Sequence, residues 1–128
     1  MRRLALTPAD LERAFQDVRR EQCDAVFVLA DPIRRKIVDL ANAVPIPAIY
    51  QISEFVEAGG LASYGPSLSA MFRRSAQYVD RIFKGATPAN MPVERPTKFE
   101  LVLNLKTAKL LNLSIPEAVI FSADKVIE

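Results

Sequence analysis

The stretch Gly59-Gly60-Leu61-Ala62-Ser63-Tyr64-Gly65-Pro66-Ser67 stands between two strongly patterned halves of the chain. Three glycines and a proline set its backbone path, and Ser63, Tyr64 and Ser67 put hydroxyls on a segment otherwise too apolar for a solvent loop. Glycine lets another group approach the backbone closely. A tyrosine in such a place either packs, half-buried, on a strand or stacks on a ligand and hydrogen-bonds it. The choice depends on what the neighbouring segments bring to the same place.

Upstream, the pattern is strand and helix in turn. Leu4 to Leu6 reads as the end of a strand. Thr7-Pro8-Ala9-Asp10 carries a cap, a first-turn proline and an acid at the positive helix end, so a helix of about thirteen residues is expected from Pro8. Its apolar face is Leu11, Ala14, Phe15 and Val18. Ala25 to Ala30 is a short apolar run of the kind buried on both faces in a parallel sheet. Asp31-Pro32 then opens a second helix, with Asp31 as its cap and Ile33, Ile37, Leu40, Ala41 and Val44 facing inward. Pro47 to Gln51 is a second strand, Ser53 caps a short helix around Phe55 and Val56, and Leu61 to Tyr64 is a third strand.

Downstream, Pro66-Ser67 starts the longest helix, which runs to Lys84 with Leu68, Met71, Phe72, Val79, Ile82 and Phe83 on one stripe. Residues 86–98, with Pro88, Pro92 and Pro96, form an extended connector. Phe99 to Leu105 alternates as a strand, Lys106 to Asn112 forms a short helix, and Ser114-Ile115-Pro116-Glu117 has capping-box spacing for a last helix reaching the C-terminus.

This order predicts an α/β fold of right-handed βαβ units: one domain over residues 1–128, with a mainly parallel sheet in three layers and helices on both faces. Ligands of such sheets bind beyond the carboxyl ends of the strands. That rule selects Ala30 and Asp31 after the first strand, Tyr50 after the second, and Ser63, Tyr64 and Gly65 after the third. Asp31 also serves as a simple helix cap, and Tyr50 as a simple core residue.

Composition removes other classes. The chain has 128 residues, half of them hydrophobic, with 17 basic and 15 acidic side chains. That balance does not suit a dedicated nucleic-acid binder. With one cysteine, Cys23, and no histidine, an internal disulfide, a Cys/His zinc site and a histidine-based catalytic triad cannot be built. No phosphate-binding glycine loop or paired-carboxylate signature is present, so a binding module is favoured over an enzyme, and no cofactor or metal is expected. The N-terminal residues do not form a signal peptide.

Several segments resemble bacterial ABC-transporter solute-binding proteins of the tryptophan-uptake type. They are Pro47-Ala48-Ile49-Tyr50, then Glu54 through Gly59-Gly60-Leu61-Ala62-Ser63-Tyr64-Gly65-Pro66-Ser67, then Tyr78 to Ala86, and Pro92 through Pro96-Thr97-Lys98-Phe99-Glu100-Leu101-Val102-Leu103-Asn104-Leu105-Lys106-Thr107-Ala108. Pro8 to Phe15 also fits. The resemblance implies part of a two-lobed type I periplasmic-binding fold, this chain being its C-terminal portion without the first lobe or export signal. It further implies that 63–67 and 92–98 cross between lobes and that the helix from Ser67 faces the missing lobe. A small organic solute, an amino acid or relative, would then be held between lobes by Ser63, Tyr64, Gly65, Asp31, Ala30 and Tyr50. The implied partners are an ABC permease and ATPase, the parent being periplasmic or membrane-anchored outside the cytoplasm. The isolated chain would expose its helical stripe and pair with a second copy. Two alternatives remain: a small-molecule-sensing regulatory domain of the same fold, and an enzyme of flavodoxin-like plan.

Overall fold

The computed structural model describes residues 7–29 and 34–128. Its elements in chain order are α1 (Pro8–Arg20), β1 (Val26–Val28), α2 (Arg34–Ala43), β2 (Ala48–Tyr50), α3 (Glu54–Glu57), β3 (Ala62–Pro66), α4 (Leu68–Phe83), a 3₁₀ turn (Pro88–Asn90), β4 (Phe99–Asn104), α5 (Leu105–Leu110), α6 (Glu117–Phe121) and β5 (Lys125–Ile127).

α1 begins where its local chemistry places it. Asp10 N donates to Thr7 Oγ1 at 3.2 Å, and Thr7 N donates back to Asp10 Oδ2 at 3.1 Å, a reciprocal capping box. α4 is capped by Ser67, whose Oγ accepts from Ala70 N at 3.4 Å. It stops at Gly85, whose φ of +98° suits a glycine. Ser53 precedes α3 but makes no side-chain cap bond. The Asp31 cap and the Leu4–Leu6 strand lie outside the described residues.

The sheet order is β1-β2-β3-β4-β5. β1, β2 and β3 run parallel, β4 runs antiparallel to β3, and β5 runs parallel to β4. β4 reverses because α4 and the connector carry the chain away from the end of β3 and return it beside the same strand, Pro66 facing Phe99. The expected C-terminal helix is corrected to five residues. Pro116 occupies its cap position and offers no side-chain acceptor, and the chain then turns into the unexpected strand β5.

Strand alternation sorts the side chains into two faces. Val26, Val28, Ala48, Tyr50 and Ser63 point to one face, where Leu11 and Phe15 of α1, Ile37, Val38 and Ala41 of α2, and Phe55 of α3 close the core. Burying side chains of this size stabilises by roughly 1.5–3 kcal/mol each. Phe27, Ile49, Tyr64 and Phe99 point to the other face. The right-handed crossover from β4 to β5 carries α5 and α6 over that second face at its β4–β5 side, where Leu103 is buried.

Candidate functional site

The carboxyl ends of β1, β2 and β3 are drawn together by backbone contacts. Gln51 N donates to Val28 O at 3.0 Å, tying the end of β2 to β1. Gly65 lies against Gln51 so closely that a Cβ there would meet Gln51 O at 1.8 Å. Only a glycine lets β3 approach the end of β2 this way. Beyond Gly65 the chain leaves the sheet at Ser67, whose N donates to Lys98 O at 3.1 Å. Both ends of the α4 arm thus leave and re-enter the sheet at one point.

At this edge Tyr64 is the prominent side chain. It is 60% exposed, and its ring lies 5.9 Å from that of Phe99 at 30°. The two rings form an apolar platform with one phenolic hydroxyl. The opposite face of the same edge carries a charged pair. Lys98 Nζ lies 3.0 Å from Glu100 Oε1, and hydrogen bonds from Lys98 and then Ser67 hold the Glu100 carboxyl below the usual range.

The remaining expected residues fall differently. Ser63, next to Tyr64 on the strand, points to the helix-covered face and is 1% exposed. Tyr50, its register partner across β2–β3, is 0% exposed and stacks on Phe55 with ring centroids 4.7 Å apart. Burial pushes the Tyr50 hydroxyl up to about 12. Neither Tyr50 Oη nor Ser63 Oγ has a hydrogen-bond partner among the described residues. Gly65 is at the edge, whereas Ala30 and Asp31 lie outside the described residues. The structure therefore brings Tyr64 to the surface edge, buries Gly65 beside it against the Gln51 backbone, and sets Ser63 and Tyr50 beneath it. Phe99 was not singled out by the sequence. The period-two alternation from Phe99 was the available signal, but it does not say which strand lies beside it.

A second feature adjoins this edge. α4 has no buried residue. Its inner side is fastened to the return connector: Arg74 Nε donates to Glu94 Oε2 at 2.7 Å with a second bond from Nη2 to Oε1, and Tyr78 Oη donates to Pro92 O at 2.7 Å. The Arg74 guanidinium also sits over the Tyr78 ring, 5.4 Å from its centroid. The Arg74 hydrogen bond holds the Glu94 carboxyl below its usual range. A cavity of about 880 Å³ runs between helix and connector, lined by Met71, Val79, Ile82, Met91 and Pro92 among others.

Residues 4–127 match the family described as ABC transporter substrate binding protein. The chain belongs to that family. ABC substrate-binding proteins are binding proteins rather than enzymes, and the family is typically extracytoplasmic. Among the described residues no helix is long and apolar enough to cross a membrane. Solved structures of similar fold include a conserved domain protein from Vibrio cholerae O1 biovar El Tor, at 29% identity and a TM-score of 0.85 over 95% of this chain. Another is an ABC domain from Streptococcus pneumoniae in complex with L-Trp, at 27% identity and a TM-score of 0.79 over 93% of this chain. A ligand-free, open substrate-binding protein with adhesive properties from Clostridium difficile shares the fold at 20% identity and a TM-score of 0.64 over 96% of this chain. The chain spans 42%, 40% and 42% of those three structures. Among curated proteins none matches it.

Proposed function

We infer that this substrate-binding chain is the C-terminal portion of a two-lobed solute-binding protein and forms one wall of its solute cleft. The observation that carries this reading is the exposed Tyr64–Phe99 platform at the joined carboxyl ends of β1 to β3, beside an arm with no buried face. The solute is a small organic molecule, an amino acid or related compound; the L-Trp held by the Streptococcus pneumoniae protein supports that class. An aromatic platform suits a solute with a flat or apolar side chain.

In this proposal Tyr64 and Gly65 touch the solute, the first through its ring and hydroxyl and the second through its backbone. Ala30 and Asp31 are further proposed contacts of the solute. Ser63 and Tyr50 supply the two unpaired hydroxyls immediately beneath it. Segments 63–67 and 92–98 are the crossings, and α4 packs against the first lobe. Closure then follows from rotation about the crossings. The solute passes to an ABC permease and its ATPase, the parent working in the periplasm or anchored outside the cytoplasm.

The test is a thermal-shift screen of amino acids and their relatives against the protein that carries this chain. Saturating solute at about 100 times Kd stabilises by about 2.7 kcal/mol. A concentration-dependent rise in Tm with at least one solute, lost in Tyr64→Ala, is the expected result. A panel without any shift would overturn the amino-acid assignment.

A further inference from the structure

The arm that leaves the sheet at Ser67 and returns at Lys98 is braced as one piece. Arg74 on α4 holds Glu94 of the connector, and Tyr78 holds the Pro92 carbonyl. Its attachment to the body is slight. α4 buries no side chain, and Leu68, in its first turn, packs against the core. The angle of the arm is therefore set at its base, where the two ends meet.

Three groups come together there. Ser67 N donates to Lys98 O at 3.1 Å, joining the departing backbone to the returning one. Glu100 follows two residues past Lys98, opposite Gly65 in the β3–β4 register. Its carboxylate accepts hydrogen bonds from the side chains of Lys98, on the return, and Ser67, on the departure. Lys98 Nζ lies 3.0 Å from Glu100 Oε1. One carboxylate thus grips both ends of the arm, and Ser67 Oγ, which caps α4 through Ala70 N, passes that grip to the helix. Asp124 confines Glu100 from the other side: its Oδ2 is fixed by Leu101 N at 2.8 Å, and its charge opposes that of Glu100. A cavity of about 490 Å³, lined also by Ser53, Glu54 and Glu57 of the α3 region, leaves the carboxylate room to swing free. The Lys98 side chain is 63% exposed. A pair of that kind adds little to folding stability and breaks readily, which suits a joint that has to turn.

We propose that Glu100 is a hinge-positioning residue: by holding Ser67 and Lys98 together, its carboxylate fixes the angle of the α4 arm, and with it the angle between the lobes before solute binds. This rests on the reading of 63–67 and 92–98 as crossings, and it names the side chain that governs rotation about them. Glu100 acts without touching the solute, since Tyr64 and Phe99 lie on the opposite face of the sheet.

Electron paramagnetic resonance distances test this in the solute-free protein that carries this chain. Spin labels on unnatural amino acids at Gln16, on α1, and Lys84, at the far end of α4, report the arm angle; both positions are exposed. α4 has sixteen residues and is about 24 Å long, so each ~10° of freedom at its base moves the tip by about 4 Å. The expected result is one narrow distance for the wild type and Lys98→Arg, and a distribution broadened by about 4 Å or more in Glu100→Ala. Lys98→Glu/Glu100→Lys restores the pair in reverse and narrows the distribution again. Tm stays within about 4 °C of the wild type throughout, because the pair is largely solvated. Lys98→Met replaces Glu100→Ala if circular dichroism shows a folding defect. A distribution left unchanged by loss of the pair overturns the proposal. So does a reversed pair that stays broad. A broadening that comes with a large fall in Tm equally counts against it, since Glu100 would then hold the fold and not the angle. The distances are read without solute, so they stand whatever a solute screen gives. An unchanged distribution beside a Tyr64-dependent rise in Tm would remove the hinge role and keep the cleft.

Discussion

Replacing Gly65 with alanine probes the close approach on which the candidate edge depends. The added methyl would lie 1.8 Å from Gln51 O and 2.9 Å from Gln51 C. A carbon-to-oxygen contact is comfortable at about 3.3 Å, so the ends of β2 and β3 must part by roughly 1.5 Å. The obstacle is backbone, not a side chain that can change rotamer. The same segment holds the Gln51 N to Val28 O bond and the Tyr50–Ser63 register. Overpacking costs about 1–3 kcal/mol, and a backbone obstacle puts this case at the upper end, near ~3 kcal/mol. For a domain of this size that lowers Tm by roughly 10–15 °C. Urea denaturation followed by far-UV circular dichroism measures the loss directly. Gly85→Ala is the control, since nothing lies within 4 Å of its Cβ and only its φ of +98° is unfavourable; it should cost about 1 kcal/mol. If Gly65→Ala costs no more than Gly85→Ala, β3 does not press on the end of β2 and the steric argument fails.

Further outcomes follow from two buried polar groups. Tyr50→Phe removes a hydroxyl without a partner, so stability at pH 7 should be unchanged or rise by up to about 1 kcal/mol in urea melts. Because the folded-state Tyr50 value is raised to about 12 from an ordinary 10, its contribution is complete below pH 10 and is lost as pH rises toward 12. Melts between pH 9 and 12 should therefore show a steeper alkaline loss in the wild type than in Tyr50→Phe, by up to about 2–3 kcal/mol; parallel curves would refute the burial of this hydroxyl. Asn104→Ala should cost about 2 kcal/mol, since Asn104 Oδ1 accepts from Thr107 N at 3.1 Å to cap α5 and its Nδ2 donates to Val56 O at 3.4 Å. A change below 0.5 kcal/mol, on the order of a neutral surface substitution, would show that this cap is dispensable.

The parts of the fold that were legible are those set by local chemistry. Thr7, Pro8 and Asp10 specify the start of α1, and the stripe after Ser67 specifies α4 to within a residue. The parts that were not legible depend on partners far along the chain. Nothing in Phe99–Asn104 says that it runs antiparallel to β3; that follows from the return of the α4 arm to its point of departure. β5 is three residues long and is stabilised by pairing with β4, so its own pattern is too short to announce it. The spacing of Ser114 and Glu117 suggested a cap, but Pro116 takes that position. At the site, the hydroxyls of Ser63 and Tyr64 drew both residues into one set. Strand alternation sends them to opposite faces. The ring that meets Tyr64 comes from Phe99, whose position in sequence gives no hint of the contact.

The central claim, that Tyr64 lies on the wall of a solute cleft, is tested most directly by calorimetric titration. An amino-acid panel is titrated into the protein that carries this chain, as wild type and as Tyr64→Ala. The account predicts saturable binding of at least one solute, weakened roughly three- to ten-fold in the variant, since an aromatic stack contributes about 0.5–1.5 kcal/mol and about 1.4 kcal/mol is one decade in Kd. A solute bound equally well by both proteins would place the cleft elsewhere and contradict the account.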